Sequence, residues 1–174
     1  MKILTFGASS SHNSINKVLA IYASSLIANA DVKVIDLNDF ELPLFSVDTE
    51  EKIGKPKLAQ QLFSEIGQAD GIIISFAEHN GSYTAAYKNI FDWMSRINPK
   101  VFQDKPMIML STSPGPGGAA NVLNVATNSA KYFNGDLKGS MSLKSFYDNF
   151  DVDSNEFKNE QLKQELREVV LNLL

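Results

Sequence analysis

Short apolar runs alternate along this chain with stretches in which apolar residues recur at helical spacing. The runs have the length of β-strands and lie at residues 3–6, 32–35, 71–76, 107–111 and 138–143. The run at 71–76 is almost continuously apolar, which is typical of a strand buried on both faces of a parallel sheet. A helix that begins after a Ser14 cap is predicted by apolar residues at i, i+3, i+4 and i+7, namely Ile15, Val18, Leu19 and Tyr22.

Helical spacing also follows the later strands. It predicts four further helices, at residues 57–67, 83–97, 119–133 and 162–173. Five strands alternating with five helices predict an α/β fold in one domain over residues 1–174, with a parallel sheet covered by helices on both faces. Ligands of such sheets bind beyond the carboxyl ends of the strands, so the loops after the first, third and fourth strands are the candidate functional regions.

The loop after the first strand is rich in hydroxyl and amide side chains, namely Ser9, Ser11, Ser14 and Asn16. Free N–H groups at a helix N-terminus attract anions, and hydroxyls donate to phosphate oxygens, so this loop predicts a phosphate site. The alternative is a solvated turn in which Ser14 only caps the helix. No G-x-x-x-x-G-K-[ST] occurs and no glycine trio follows this strand, which disfavours a nucleotide triphosphatase and the usual dinucleotide site.

The other two loops carry polar groups and glycines. Residues 78–83 contain the turn signal Asn80-Gly81, and Asn80 and Ser82 are candidates to bond the edge of a planar heterocycle; the alternative is a turn followed by a helix cap. The glycines of residues 112–118 allow the backbone to approach a ligand closely, or simply make a flexible connection. Gly115-x-Gly117-x-x-Ala120, with Asp136 downstream, is a weak match to the dinucleotide fingerprint because it follows the fourth strand.

Composition narrows the chemistry. The chain has no cysteine, which excludes disulfides, thiolate metal sites and a cysteine nucleophile, and its two histidines suggest no metal site. A net charge of -4 disfavours a partner with a phosphate backbone, so no nucleic acid is expected. The longest apolar run is far shorter than the roughly 20 residues of a membrane span, and no signal segment is evident. We therefore expect a cytoplasmic protein without membrane contact.

Three segments carry a resemblance to a known family. Residues 9–20 are similar to S-x-[RS]-x-x-S-x-N-x-x-L-A, and residues 78–93 are similar to P-E-Y-N followed by L-K-N-x-x-D-W. Residues 105–118 are similar to K-P, a strand and S-x-S-x-G-x-x-G-G. In this order and spacing they resemble the NADPH-dependent FMN reductases, a family of flavodoxin-like fold that includes small azoreductases and quinone and chromate reductases.

The resemblance implies strand order 2-1-3-4-5 and one non-covalently bound FMN. It implies that the FMN phosphate is held by Ser9, Ser11, Ser14, Ile15 and Asn16. It implies that the ribityl chain and the ring lie along Glu78, His79, Asn80, Gly81 and Ser82, with Ser113 and Gly117 bordering the ring. Lys88, Asn89, Asp92 and Trp93 are expected to stabilise their helix and a dimer interface rather than to touch flavin.

Three positions depart from the family pattern. Ser11 stands where many members carry arginine, Ala77 replaces a proline, and His79 replaces a tyrosine. Charged hydrogen bonds are worth about 1.5–3 kcal/mol and neutral ones about 0.5–1.5 kcal/mol, so the serine predicts weaker FMN binding. The change at His79 bears on substrate preference more than on the cofactor.

The implied activity is that of an FMN-dependent NAD(P)H oxidoreductase. NADPH, or NADH, passes hydride to the bound flavin in a ping-pong cycle, and the acceptor is a quinone, an azo dye, a free flavin or a metal oxyanion. The flavin carries the chemistry, no metal is needed, and His79 is a candidate proton donor. A homodimer is expected, with a tetramer as the alternative. Two other classes stay open: a flavodoxin-type electron carrier, which the modest charge disfavours, and an interaction protein that has lost its flavin.

Overall fold

The computed structural model describes residues 1–174 and alternates strands with helices along most of its length. In chain order the elements are β1 (Lys2–Ala8), α1 (Ile15–Ser25), β2 (Asp31–Ile35), α2 (Val47–Ile53), α3 (Lys57–Gln68), β3 (Gly71–Phe76), β4 (Glu78–His79), β5 (Ser82–Tyr83), α4 (Ala85–Ile97), β6 (Lys105–Thr112), α5 (Ala120–Ala130), β7 (Gly135–Leu143), α6 (Phe146–Asn149), β8 (Phe150–Asp151), β9 (Glu156–Phe157) and α7 (Glu160–Leu171). Short 3-10 helices occupy Leu37–Phe40 and Lys131–Phe133. None of the helices combines the length and apolarity needed to cross a membrane.

Five parallel strands form the central sheet in the order β2-β1-β3-β6-β7. This is the flavodoxin-like order 2-1-3-4-5 of the sheet strands, so the predicted fold class is confirmed. The strands end nearly level, because Ala8 is in register with Phe76, Phe76 with Ser111, and Thr112 with Leu143. The loops that leave β1, β3 and β6 therefore meet at one edge of the sheet.

Helices bury both faces of this sheet. On one face, Phe6 and Ile74 pack in a core with residues of α3, α4 and α5, among them Leu62, Ile90 and Val122. On the other face, side chains of β1, β3 and β6 pack with α1 and α7: Ile3, Ile73, Ile108, Leu19 and Val170. All six residues of β3 are buried, as the continuous apolar run predicted.

Two predicted boundaries are corrected around β3. The segment at 78–83, which was predicted as a loop, is an antiparallel hairpin in which β4 pairs with β5. The following helix begins at Ala85 rather than at residue 83, because Thr84 caps it by accepting a hydrogen bond from the Tyr87 N–H at 3.3 Å. Strands of two residues are too short to produce a recognisable alternation of polar and apolar positions.

Further elements were missed where the periodic signal is weak. The long loop after β2 contains α2, which Ser46 caps and which buries none of its residues, so no apolar stripe marks it. Between β7 and the last helix the chain forms α6 and the β8–β9 hairpin. Phe146, Phe150 and Phe157 anchor this segment in the core beside α1, with the stacked Phe146 and Phe150 rings centred 5.1 Å apart.

Candidate functional site

Hydrogen bonds join the three loops at the carboxyl edge of the sheet. Thr84 Oγ1, at the start of α4, donates to the Ala8 carbonyl at the end of β1 at 3.0 Å. Asn16 Oδ1, at the start of α1, accepts from Ser75 Oγ of β3 at 2.7 Å and from the Thr112 N–H of β6 at 3.0 Å. The three loops, at residues 9–16, 78–83 and 112–118, are therefore connected to one another, and we call the surface that they form the rim.

The loop after β1 presents free donors beside the first turn of α1. Ser14 caps this helix as predicted, since its Oγ accepts from the Lys17 N–H at 3.2 Å. Ser9 Oγ accepts from the Ser11 N–H at 3.1 Å and holds the loop closed. Six backbone N–H groups of this loop donate to no group of the protein, those of Ser10, His12, Asn13, Ser14, Ile15 and Asn16. Free N–H groups and the positive end of a helix dipole suit a phosphate group.

Asn16 serves the framework with its side chain. The residue is only 3% exposed, and its Nδ2 donates to the Thr112 carbonyl at 3.0 Å while its Oδ1 accepts from Ser75 and Thr112. Both heavy atoms of the amide are thus engaged inside the protein. What Asn16 retains for an anion in the loop is its backbone N–H.

The loop after β3 folds back as the β4–β5 hairpin. Asn80 and Gly81 form its turn with φ values of 52° and 80°, a left-handed pair typical of a two-residue type I′ turn. His79, Asn80, Gly81 and Ser82 are exposed. A Cβ at Gly81 would meet no atom within 4 Å, so open space borders this turn.

Glu78, at the base of the hairpin, points its carboxylate at α5. The Val122 N–H donates to Glu78 Oε2 at 2.9 Å, and Asn121 Nδ2 donates to Oε1 at 3.4 Å. The resemblance implied that Glu78 lies along the cofactor, yet its side chain is committed to the first turn of this helix.

The glycine-rich loop after β6 is pinned on one side and open on the other. Gly118 has φ 60°, and a Cβ there would lie 2.3 Å from Ser142 Oγ, so this position requires glycine. Its carbonyl accepts from Ser111 Oγ and Ser142 Oγ, each at 2.8 Å. A Cβ at Gly115 or Gly117 would meet no atom within 4 Å. The backbone at Gly115 and Gly117 therefore faces free space, while hydrogen bonds to Gly118 hold the loop in place.

Lysines in the first turns of α1 and α4 form ion pairs. Lys17, in the first turn of α1, forms an ion pair with Asp36, which follows β2. The hydrogen bond from Lys17, together with one from the Asn38 N–H, lowers the pKa of Asp36 below its ordinary value. Lys88 pairs with Asp92 one turn along α4 at 2.7 Å, in agreement with the expected helix-stabilising role. No three histidine, aspartate or glutamate side chains gather where they could hold a metal ion.

The motif on α4 holds a segment of its own chain. Asn89 Oδ1 accepts from the Phe45 N–H at 2.8 Å, and Trp93 Nε1 donates to the Pro43 carbonyl at 2.8 Å. Trp93 is fully buried, with its ring edge-to-face against Phe45 at 5.1 Å between centroids. Asn89 and Trp93 therefore form an internal clamp on the segment after β2.

Several residues of the rim were not identified from the sequence, and the structure excludes the dinucleotide site that was a weak alternative there. Ser75 and Thr112 are buried polar residues near the ends of apolar strands, and that placement is their signal in the sequence, whereas Thr84 is a buried helix cap. The weak dinucleotide match needed Asp136 near Gly115–Ala120. Asp136 is in register with Pro106 near the beginning of β6, at the opposite edge of the sheet, and it pairs with Lys138.

Comparison with known proteins identifies the same family that the three sequence segments resemble. The family model of NADPH-dependent FMN reductases matches residues 1–137. A quinone reductase of Escherichia coli is 34% identical over 95 residues, which are 54% of this chain and 50% of that protein, so the chain spans about half the length of this relative. An NADPH:quinone oxidoreductase of Arabidopsis thaliana is 29% identical over 153 residues, 84% of this chain and 74% of that protein.

Solved structures agree on the fold. The flavoenzyme NAD(P)H:(acceptor) oxidoreductase FerB of Paracoccus denitrificans superposes with a TM-score of 0.81 at 20% identity, covering 99% of this chain and 94% of that one. An NADH:FMN oxidoreductase in its apo form superposes with a TM-score of 0.71 at 17% identity, covering 99% of this chain and 87% of the other. With a family model matched over most of its length and the three cofactor-type loops gathered at one rim, this chain belongs to the NADPH-dependent FMN reductase family.

Proposed function

We propose that this protein binds FMN non-covalently at the rim formed by the three loops and acts as an NAD(P)H-dependent oxidoreductase on small quinone-type acceptors. The observation that carries the proposal is the set of free backbone N–H groups in front of α1, at Ser10, His12, Asn13, Ser14, Ile15 and Asn16. Family membership supports the choice of FMN, and the names of the quinone reductase relatives support the choice of acceptor.

The residues of the rim fit FMN part by part. Ser11 is exposed, and the hydroxyls of Ser9 and Ser14 keep their own hydrogen to donate while they accept from backbone N–H groups, so all three suit a phosphate. The open spaces beside Gly81 and beside Gly115 and Gly117 suit the ring and the ribityl chain, with Ser113 at the same border. The Ser113 hydroxyl donates to the Gly115 carbonyl at 3.2 Å and steadies this edge.

FMN, when bound, supplies the two-electron redox chemistry by which NAD(P)H reduces an acceptor. The chain contributes binding and orientation: the loop after β1 fixes the phosphate end, while the hairpin and the glycine-rich loop border the ring. Backbone N–H groups near a ring edge stabilise negative charge that develops there, because they are held in place before the reaction. The exposed His79 imidazole is a candidate for holding a proton at the hairpin side.

The choice of electron donor and of location belongs to the same proposal. The family description supports NADPH, and NADH is the second donor to be assayed. Lys17 is already paired with Asp36, so it is not free to select the 2′-phosphate of NADPH. Reduced nicotinamide nucleotides are intracellular reductants, which supports a cytoplasmic site of action.

A homodimer completes the proposal, with its interface in the groove between α4 and α5. An apolar cavity of about 160 Å³ lies there, and its lining includes Tyr83, Phe91, Phe133 and Val125, of which Val125 is 43% exposed. Apolar and aromatic surface of this kind is enriched in the centres of interfaces. Light scattering should give twice the chain mass of 19.2 kDa, and Phe91→Glu should give the monomer mass. A wild-type monomer would refute the dimer, and four chains would replace it with a tetramer.

The phosphate assignment is tested by comparing FMN with riboflavin, which lacks the phosphate. Ser11→Ala should weaken FMN binding about 2- to 12-fold, the equivalent of one neutral hydrogen bond of about 0.5–1.5 kcal/mol, and leave riboflavin binding unchanged. Ser11→Arg should tighten FMN binding, because a charged donor replaces a neutral one. Ser10→Ala, at the exposed neighbouring position, is the matched control. Equal affinity of the wild-type protein for FMN and riboflavin would contradict the assignment.

A further inference from the structure

The β4–β5 hairpin and the glycine-rich loop are connected through α5. Glu78 of β4 accepts from the Val122 N–H and from Asn121 in the first turn of this helix. Tyr83 of β5 lies near the other end of the helix, its hydroxyl 3.4 Å from Ser129 Oγ. Both strands of the hairpin are thus attached to the helix that the glycine-rich loop begins.

The N-terminus of α5 has no cap of its own. Its capping position is Ala119, which has φ 58° and offers no side-chain acceptor to the first turn. Helices leave their first N–H groups unpaired, and a carboxylate is a strong acceptor for them because it also opposes the positive end of the helix dipole. Glu78 fills this role from 44 residues earlier in the chain, so the cap is a tertiary contact between two loops of the rim.

We propose that Glu78 is a positioning residue whose carboxylate, by capping α5, fixes the β4–β5 hairpin against the glycine-rich loop and so sets the width and the charge of the flavin site. This inference rests on the proposed function and goes further, because it assigns Glu78 a role through α5 and not by contact with the cofactor. The capped helix also carries a negative charge at the rim, which opposes the uptake of electrons by a nearby flavin.

Two variants separate the contact from the charge. Glu78→Gln keeps an oxygen that accepts from the Val122 N–H but removes the charge, whereas Glu78→Ala removes both. Asn159→Ala is the matched control, because Asn159 Oδ1 caps α7 through the Gln161 and Leu162 N–H groups at 3.1 and 3.2 Å, outside the three loops. All four proteins are measured for FMN affinity, for the midpoint potential of bound FMN and for hydrogen exchange of the Val122 amide without FMN.

We expect Glu78→Ala to bind FMN about tenfold more weakly, the equivalent of about 1.4 kcal/mol, and Glu78→Gln and Asn159→Ala to stay within about twofold of the wild type. The midpoint potential should move to a more positive value in Glu78→Gln and stay unchanged in Asn159→Ala. Val122 exchange should accelerate in Glu78→Ala alone. Wild-type FMN affinity in Glu78→Ala, an equal loss in Asn159→Ala, an equal loss in Glu78→Gln or an unmoved potential in Glu78→Gln would overturn the proposal.

The exchange measurement separates this inference from the proposed function. It uses the protein without cofactor, so it reports on the contact between Glu78 and Val122 even where a variant binds no FMN. Failure of the wild-type protein to bind FMN refutes the proposed function. Unchanged Val122 exchange in Glu78→Ala refutes the positioning role by itself.

Discussion

The side chain of Asn16 pairs with the backbone of Thr112 at both of its polar atoms. Asn16 Nδ2 donates to the Thr112 carbonyl and Oδ1 accepts from the Thr112 N–H, each at 3.0 Å, in the way that neighbouring strands bond. The pair joins the beginning of α1 to the end of β6, and the additional bond from Ser75 Oγ includes β3. One buried amide therefore sets the relative positions of the loops that make the rim.

Asn16→Ala should destabilise the fold by about 2–4 kcal/mol, because three hydrogen bonds are lost and buried groups of Ser75 and Thr112 are left without partners. At about 2–4 °C per kcal/mol for a chain of this size, the melting temperature should fall by about 5–15 °C. Asn13→Ala, an exposed position in the same loop, should melt like the wild type. Equal melting temperatures for all three proteins would show that the paired amide does not hold the rim.

Neighbouring glycines of the third loop should respond in opposite ways to alanine. Gly118→Ala forces a Cβ to within 2.3 Å of Ser142 Oγ at a positive φ, so we expect a loss of about 1–3 kcal/mol of stability. Gly117→Ala places its methyl group in open space and should melt like the wild type, but the methyl group narrows the proposed flavin site.

Thermal melting without FMN and titration with FMN distinguish the two glycine variants. Gly117→Ala should bind FMN more weakly than the wild type and keep its melting temperature, whereas Gly118→Ala should have a lower melting temperature. If Gly117→Ala binds FMN as tightly as the wild type, the flavin does not lie against this loop.

The ion pair between Lys17 and Asp36 should contribute to stability in a pH-dependent way. The folded-state pKa of Asp36 is lowered from 3.8, so the pair stabilises the protein above that pH, and its contribution disappears as the pH falls through the folded-state pKa. Asp36→Asn should therefore be less stable than the wild type at pH 7, and the gap should close below about pH 4. Urea unfolding at pH values from 7 to 2 measures the difference in unfolding free energy between the two proteins. A difference that stays constant over this range would contradict the stabilising role of the ion pair between Lys17 and Asp36.

Much of the framework was predictable from local pattern. The continuous apolar run of β3 and the Ser14 cap of α1 involve residues close together in the chain, and both are confirmed. Clustering of the loops followed from parallel topology, since the carboxyl ends of parallel strands share one edge. The turn at Asn80-Gly81 was also visible, because these residues favour positive φ.

The contacts that organise the rim were not predictable, because they join distant parts of the chain. Asn16 meets Ser75 and Thr112 at separations of 59 and 96 residues, and Glu78 meets Val122 across 44. In a sequence, a polar residue in a glycine- and serine-rich loop has the same appearance whether it binds a ligand or supports the loop. Only the fold distinguishes the two, and it assigned the side chains of Asn16 and Glu78 to support.

The clamp on the segment after β2 gives a further prediction. Trp93→Phe removes the hydrogen bond to the Pro43 carbonyl and leaves a small void at a fully buried position, so we expect a loss of about 1–3 kcal/mol. Hydrogen exchange or limited proteolysis should show earlier opening at residues 42–45. Tyr132→Phe, at a position that is 84% exposed, should change neither property. Unaltered exchange at 42–45 in Trp93→Phe would mean that Asn89 alone holds the segment.

The most direct measurement of the central claim is an anaerobic titration of the purified, FMN-loaded protein with NADPH, followed by addition of a benzoquinone. We predict about one FMN per chain, bleaching of the flavin absorbance on addition of NADPH, and its full return when the quinone is added, with steady-state turnover when both are present. A protein that retains no FMN would contradict the site, and bound FMN that neither NADPH nor NADH bleaches would contradict the oxidoreductase and leave an electron carrier in its place.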